Sequence, residues 1–596
     1  MKKIISLILC AVMLLSLAAC GSTDASTSTE GDAAVSTTDG TYTGEGNGKG
    51  GKIQVELTLK NNEITDIVIG ENNETSGFAE AMDEMKQAMI ETNQIEVDGV
   101  TGATFSSKGF QEAIKDAFAK SGAKESDLVK KDAAPVESTM EDSYEADVVV
   151  VGAGGAGLSA AITAAENGAQ VILVEKMNNV GGNTLISGGE MAAPGNWLQK
   201  DAGIEDNVET FYNDILKGGD NENDPALVRI VADNALNAAE WLRDDIQMEF
   251  EDYLLFFGGH SVKRSLVPKN ATGVEMIQKL TAKAESLGVQ IYTNTAAKHL
   301  IAENDKVVAV EAENNGKTIR FNANNGVVLT TGGFGSNLEM RKANNPDMDE
   351  KILSTNSVGS TGDGITMARE LGAQTGDMQY IQTYPTCDAE TGALLYVGDV
   401  RLEGRAILVN KEGKRFVEEL ERRDVISMAT TQQTGGVSYM YFDEASMQAA
   451  GVAEAHKTEY EDLLARGMLV KANSVEEAAA HFGIDAVELQ ATIDRYNQYC
   501  ADGKDLEFNK RGDLIPFEAG PCYIMKSQPA IHHTMGGLKI NPDAQVLKED
   551  GQVINGLFAA GEVTGDVHGT NRLGSDAIAD IVVFGRIAGK NAAAAK

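Results

Sequence analysis

The chain has 596 residues, 42% of them hydrophobic and 23% charged, with a formal net charge of −38. This is globular composition with apolar mass for more than one core, and the length suggests about three or four domains. Such an acidic chain excludes nucleic acid, whose phosphates it would repel, and a small anionic substrate would need a local cluster of Arg and His.

The chain opens MKKIISLILCAVMLLSLAAC, with Lys2 and Lys3 before an apolar run that ends Leu17-Ala18-Ala19-Cys20. Residues 1–20 therefore read as a signal peptide, too short and wrongly flanked for a stable membrane span. The last residues resemble a bacterial lipobox, which implies a lipoprotein lipidated at Cys20 and held on the extracytoplasmic face of the cell membrane. Residues 21–40 are rich in Ser, Thr, Gly and Asp, bury too little to order themselves, and predict a flexible tether.

Residues 41–120 predict a small α+β domain. KIQVELTLKNNEITDIVIG alternates apolar residues about a turn at Asn61-Asn62, a hairpin signal. GFAEAMDEMKQAMIETN is helical by period. A polar turn, DGVTGATFSS, then leads into a further helix. Residues 121–142 read as a linker. SYEADVVVVGAGGAGLSAAITAAENGAQVILVEKM opens a Rossmann-like domain, a strand, Gly-rich turn, helix and strand. NNGVVLTTGGFGSN and the segment from GLFAAGEVTG to the C-terminus are expected in the same sheet. That divides the remainder into 143–375 and 533–596, interrupted by an α+β capping domain at 376–532. Cys387, Cys500 and Cys522 form no CxxC pair, so their spacing suggests neither a disulfide framework nor a metal site, and buried thiols are expected.

Gly152, Gly154 and Gly157 match GxGxxG between a buried strand and a helix, and Glu175 follows 18 residues beyond Gly157. The first glycine permits a tight turn, the second admits a pyrophosphate, and the third lets helix and strand pack closely. The helix start, with Ala153 beside it, offers N–H donors to phosphate, and Glu175 is expected to accept from ribose hydroxyls. A second Gly-rich loop, with Asn183, Thr184, Gly188 and Gly189, and the distant AAGEVTG with Glu562 favour FAD over NAD.

VVVVGAGGAGLSAA, VGGNTLISGG, VVLTTGGFG, IHHTMGGLKI, FAAGEVTGDVHGTNRLGSDAI and GKRFVEELERRD together resemble the fumarate reductase/succinate dehydrogenase flavoprotein superfamily, in its soluble branch of flavocytochromes and urocanate reductases. The resemblance covers about 143–596 and implies non-covalent FAD, with a substrate between the FAD and capping domains. It adds Lys176, Gly332, Gly333, Asp363, Ser575, Ala577 and Ile578 to the expected cofactor contacts. DGVTGATFSS resembles the FMN-binding domain motif of bacterial flavoproteins, which implies FMN joined to Thr104 by a phosphoester through a flavin transferase. The chain has no CxxCH, so an FMN domain stands where flavocytochromes carry haem. The electron donor is left unidentified.

Reducing a C=C bond conjugated to a carboxylate needs a hydride from FAD N5, a proton from a general acid, and cations on the carboxylate. The resemblance implies Arg423 as proton donor, with Arg422 adjacent, and Arg572 and His533 as the carboxylate clamp. It leaves His532 a structural role. In Gln382-Thr383-Tyr384, Gln382 is an expected substrate contact. Tyr384 stands where fumarate reductases carry His, and Asp399 where they carry Glu. Both resemble urocanate reductases. Leu402 stands where the relay Arg of that proton path would be, and Arg401 and Arg405 flank Asp399. The leading expectation is reduction of urocanate to imidazole propionate. Fumarate, cinnamate or another enoate remains open, as does a flavin electron carrier without substrate chemistry.

Overall fold

The computed structural model describes residues 39–48, 51–70, 72, 78–97, 104–131, 137–269 and 272–595. Cys20 and the segments 1–38 and 98–103 lie outside the described residues. The N-terminal unit is a three-stranded antiparallel sheet, Gly40–Gly48, Gly51–Lys60 and Glu63–Ile69, covered by helices Phe78–Thr92 and Thr104–Lys120. The hairpin turns at Asn61 and Asn62, both with positive φ (53° and 64°), between the paired residues Lys60 and Glu63. Two consecutive positive φ values match the right-handed twist of the strands, and Asn tolerates them. The first strand lies very close to the second helix. A Cβ on Gly44 would come within 2.0 Å of the Ala113 carbonyl, so glycine is required there.

The second unit is a doubly wound sheet. Strands Val553–Ala559, Lys317–Leu329, Ser143–Val151, Val171–Val174 and Gln290–Tyr292 run parallel in that spatial order. Their apolar runs are buried on both faces, as parallel strands require. Helix Gly155–Glu166 and the C-terminal helix Asp576–Ala594 pack on the sheet and on each other. Sequence-distant strands therefore share one sheet, as their apolar, glycine-ended runs predicted.

The third unit has its own core and a five-stranded antiparallel sheet. Its order is Ile381–Cys387, Cys522–Thr534, Ser438–Asp443 and Ile407–Val409, with Leu469–Ala472 also paired to Cys522–Thr534. Strand Cys522–Thr534 runs out of the cap to the edge of the FAD unit, so cap residues and the C-terminal segment meet along it. Cys387 and Cys522 are buried and Cys500 is half-buried, all as free thiols. The N-terminal unit meets the other two through a Lys108–Asp462 ion pair of 3.1 Å and a hydrogen bond from Asn178 to Glu84. Among the described residues no helix is long and apolar enough to cross a membrane.

Candidate active site

At the C-terminal ends of the parallel strands lies a cleft of about 840 Å³. Gly152, Gly154, Glu175, Lys176, Asn183, Thr184, Gly332, Asp363 and Glu562 all line it. Gly152 has φ +100°, and a Cβ on Gly157 would stand 1.9 Å from the Gly152 carbonyl. The turn thus folds tightly while the helix start stays open to the cleft. A Cβ on Gly154 or Gly332 would have nothing nearer than 3.8 Å, so both backbones face empty space. This elongated, glycine-walled cradle fits a dinucleotide such as FAD.

Glu175 is committed more fully to the backbone than expected: its carboxylate accepts from Ala153 N–H at 2.8 Å and Met177 N–H at 2.9 Å. Lys176 pairs with Asp363 at 2.7 Å, closing the cleft wall with a salt bridge. Ala153, Gly157 and Gly333 pack beside the cleft rather than line it. Gly188, Gly189, Ser575, Ala577 and Ile578 lie farther along, where Ala192 N–H donates to the Ser575 carbonyl at 3.2 Å beside the start of the C-terminal helix.

From the cleft, Glu562 leads to the second half of the site. It accepts from Asn183 at 3.2 Å and from Thr534 N–H at 3.0 Å, and lies 3.7 Å from His533 Nδ1. Gln382 sits opposite His533 across paired strands, so their side chains share a face. Gln382 donates to the Asn571 side chain at 2.6 Å and to the Arg572 carbonyl at 2.7 Å, fixing the loop that carries Arg572. Arg572 and His533 are both buried. Desolvation, and then the neighbouring Arg423 charge, lower the Arg572 pKa to about 9. Burial, reinforced by Arg572, holds His533 well below the usual imidazole range.

Arg423 is the first residue of helix Arg423–Thr431, and this separates it from Arg422. Arg422 turns outward to Asp220 at 2.6 Å and Asp424 at 2.7 Å. Arg423 turns inward, its guanidinium carbon 4.7 Å from the Tyr384 ring centroid and 5.5 Å from that of Phe257. Arg423 Nη1, Arg572 Nε and Gln382 Oε1 are buried without a hydrogen-bond partner among the described residues. Three such polar groups in one site mark a place for a polar ligand. Burial lowers the Arg423 pKa, against the pull of Tyr384, Glu190 and Asp399.

Asp399 lies on the 3-10 helix Tyr396–Glu403 and interacts electrostatically with Tyr384. Desolvation, then Glu190, raises its pKa to about 7 against Arg401, Arg423 and Tyr384. The Tyr384 hydroxyl is pushed up to about 12 by burial and by Asp399. Arg401 is buried in this region and donates to the Glu419 carbonyl, whereas Arg405 pairs outward with Glu403 at 3.0 Å. The contacts of His532 are of the structural kind: its ring lies 5.1 Å from that of Tyr384, and its Nδ1 is 2.9 Å from the Thr355 hydroxyl.

The sequence reading missed Glu190. It interacts electrostatically with Arg423, Arg572 and Asp399, and burial raises its pKa. An acid directly after Gly188-Gly189 was the available signal, but those glycines read as cofactor contacts. Phe257 was also missed because it reaches the site from a distant segment, and Tyr396, three residues before Asp399, because its fixing by His456 and Ile186 comes only with the fold. Thr104 opens the helix Thr104–Lys120, but its side chain and the preceding turn lie outside the described residues.

A model of the FAD-binding domain family matches residues 147–578, and one of the FMN-binding domain family matches 48–119. A urocanate reductase of Eggerthella lenta is 50% identical over 558 residues, 93% of this chain and 92% of that protein. A cytochrome-type fumarate reductase of Shewanella frigidimarina is 38% identical over 450 residues, 75% of this chain and 77% of that protein. The open conformation of a flavocytochrome c3 fumarate reductase superposes with a TM-score of 0.63 at 39% identity, covering 76% of this chain and 78% of that one.

Proposed function

From a chain that belongs to the fumarate reductase/succinate dehydrogenase flavoprotein superfamily, in its urocanate reductase-like branch, and is an FAD- and FMN-binding oxidoreductase, we propose reduction of urocanate to imidazole propionate. The observation that carries the reading is Arg423 stacked 4.7 Å from the Tyr384 ring centroid, where fumarate reductases carry His, with two carboxyl groups, Glu190 and Asp399, in its electrostatic surroundings. They offer hydrogen-bond partners to an imidazole. A second substrate carboxylate beside an ionised one at 4 Å would be repelled by about 4 kcal/mol at an effective dielectric of 20.

When bound, FMN supplies electrons to FAD, and reduced FAD supplies a hydride at N5. Arg572, a planar cation held by Gln382 through its own carbonyl, receives the substrate carboxylate. His533 stands beside it, steadied by Glu562. As the carbon β to the carboxylate is reduced, negative charge develops on the α-carbon and the carboxylate, where these two residues stabilise it. Arg423, desolvated and aimed inward by Tyr384 and Phe257, delivers a proton to the α-carbon. Arg423 recovers its proton from solvent once product has left. An Arg works as an acid here because the developing carbanion is far more basic than a guanidine. Asp399 accepts the ring N–H, and Tyr384 flanks the ring.

The finer assignments rest on sequence. The GAT of DGVTGATFSS supports FMN on Thr104, which requires a flavin transferase. The leader supports lipidation of Cys20, placing the enzyme on the extracytoplasmic face of the cell membrane with its electron donor.

The test exchanges both acids. Glu190→Gln with Asp399→Asn should lower kcat/KM for urocanate at least tenfold and narrow its advantage over fumarate, with reduced methyl viologen as donor. An unchanged ratio of the two substrates contradicts the reading.

A further inference from the structure

The turn that presents Asp399 is held from outside. Helix Tyr396–Glu403 has Leu395 as its N-cap, with no side-chain cap of its own. Its first two N–H groups instead donate to Glu459, Tyr396 at 3.2 Å and Val397 at 2.8 Å, one to each carboxylate oxygen. Glu459 comes from a separate cap helix, Lys457–Ala465, and is 6% exposed. His456, just before that helix, stacks on the Tyr396 ring at 4.9 Å and 15°. Tyr396 in turn donates its hydroxyl to the Ile186 carbonyl at 2.9 Å, tying the turn to the FAD unit.

Burying a carboxylate is costly, and the two oxygens of Glu459 are met by backbone N–H groups rather than by a cation. Desolvation, with Asp399 and Asp388 adding repulsion, raises its pKa to about 8 despite the two backbone donors. An apolar side chain would fill the space at lower cost. What the Glu459 carboxyl group offers, ionised or protonated, is two oxygens with acceptor capacity set against two successive N–H groups. Those groups precede Asp399 by about one turn of 3-10 helix.

We propose that Glu459 is a positioning residue for substrate selection: it holds the Tyr396–Glu403 turn so that Asp399 meets the substrate ring. It touches neither substrate nor cofactor. The inference rests on the ring-binding role given to Asp399 above.

The test compares urocanate with acrylate, an enoate carrying the same carboxylate and no ring, in the flavin-loaded enzyme with reduced methyl viologen. Glu459→Ala should raise KM for urocanate at least tenfold while KM for acrylate and both kcat values stay within about threefold. Glu459→Gln retains one carbonyl acceptor and should fall between, which keeps the test available if the Ala variant does not fold. Equal losses on both substrates would mark a general structural role and overturn the proposal, as would no loss in either variant. A wild-type enzyme with no preference for urocanate over acrylate would contradict the ring-binding reading itself, and this inference with it. An intact preference untouched by the variants contradicts this inference alone.

Discussion

The guanidinium of Arg423 stands 4.7 Å over the ring of Tyr384, whose hydroxyl feels the charge of Asp399. The stack aims a buried cation at the substrate space without consuming its donors, since Nη1 stays unpartnered among the described residues. Arg422, one residue earlier, spends its donors on Asp220 and Asp424.

The first prediction follows from that division. Arg423→Gln should lower kcat by about 10²–10⁴, the range of a lost general acid, with FAD content unchanged. Arg422→Gln should keep kcat within about threefold, because exposed ion pairs contribute at most about 1 kcal/mol. Steady-state kinetics of the two variants distinguishes them.

In the proposed mechanism Arg572 serves the substrate carboxylate in the ground state and the transition state alike. Losing a hydrogen bond to a charged group costs about 1.5–3 kcal/mol. Arg572→Met should therefore raise KM by about ten- to a hundredfold and lower kcat further. His533→Asn should show the same direction with a smaller effect, read in the same assay.

The cofactor cradle has a sharp steric test. A methyl at position 157 would collide with the Gly152 carbonyl at 1.9 Å. Gly157→Ala should purify with FAD occupancy reduced at least severalfold, measured by flavin absorbance after protein precipitation, while far-ultraviolet circular dichroism is retained.

Asp399 and Glu459 give pH dependences. Burial and Glu190 hold the Asp399 proton up to about pH 7, and in the proposed mechanism its ionised form accepts the ring N–H, so kcat/KM for urocanate should rise with pH through about 7. Asp399→Asn should abolish that limb. For stability the sign is opposite. Glu459 binds its proton more tightly folded than unfolded, so its contribution is greatest below the ordinary carboxylate range and is lost as pH rises through about 8. The thermal midpoint of the wild type should fall more steeply between about pH 5 and pH 8 than that of Glu459→Gln.

The parallel sheet was legible because Asp147–Val151, Val327–Leu329 and Leu557–Ala559 are apolar runs ending in glycines. The hairpin at Asn61-Asn62 was legible from turn chemistry. Within the site, Arg423, Arg572 and His533 could be named because each sits in a distinctive motif. Glu190 could not, because its role comes from the folding of Gly188-Gly189 toward the cap, and its neighbours Arg423 and Asp399 are more than 200 residues away. Glu459 was hidden for a similar reason: nothing around KTEYED shows that its carboxyl group caps a turn some 60 residues earlier.

The most direct measurement is a competition. Wild-type enzyme carrying both flavins receives reduced methyl viologen with urocanate, fumarate and cinnamate together at equal concentration, and the products are quantified by mass spectrometry at early times. The account predicts imidazole propionate in large excess over succinate and phenylpropionate. Succinate as the main product would contradict it, and would mean that Glu190 and Asp399 do not repel a second carboxylate.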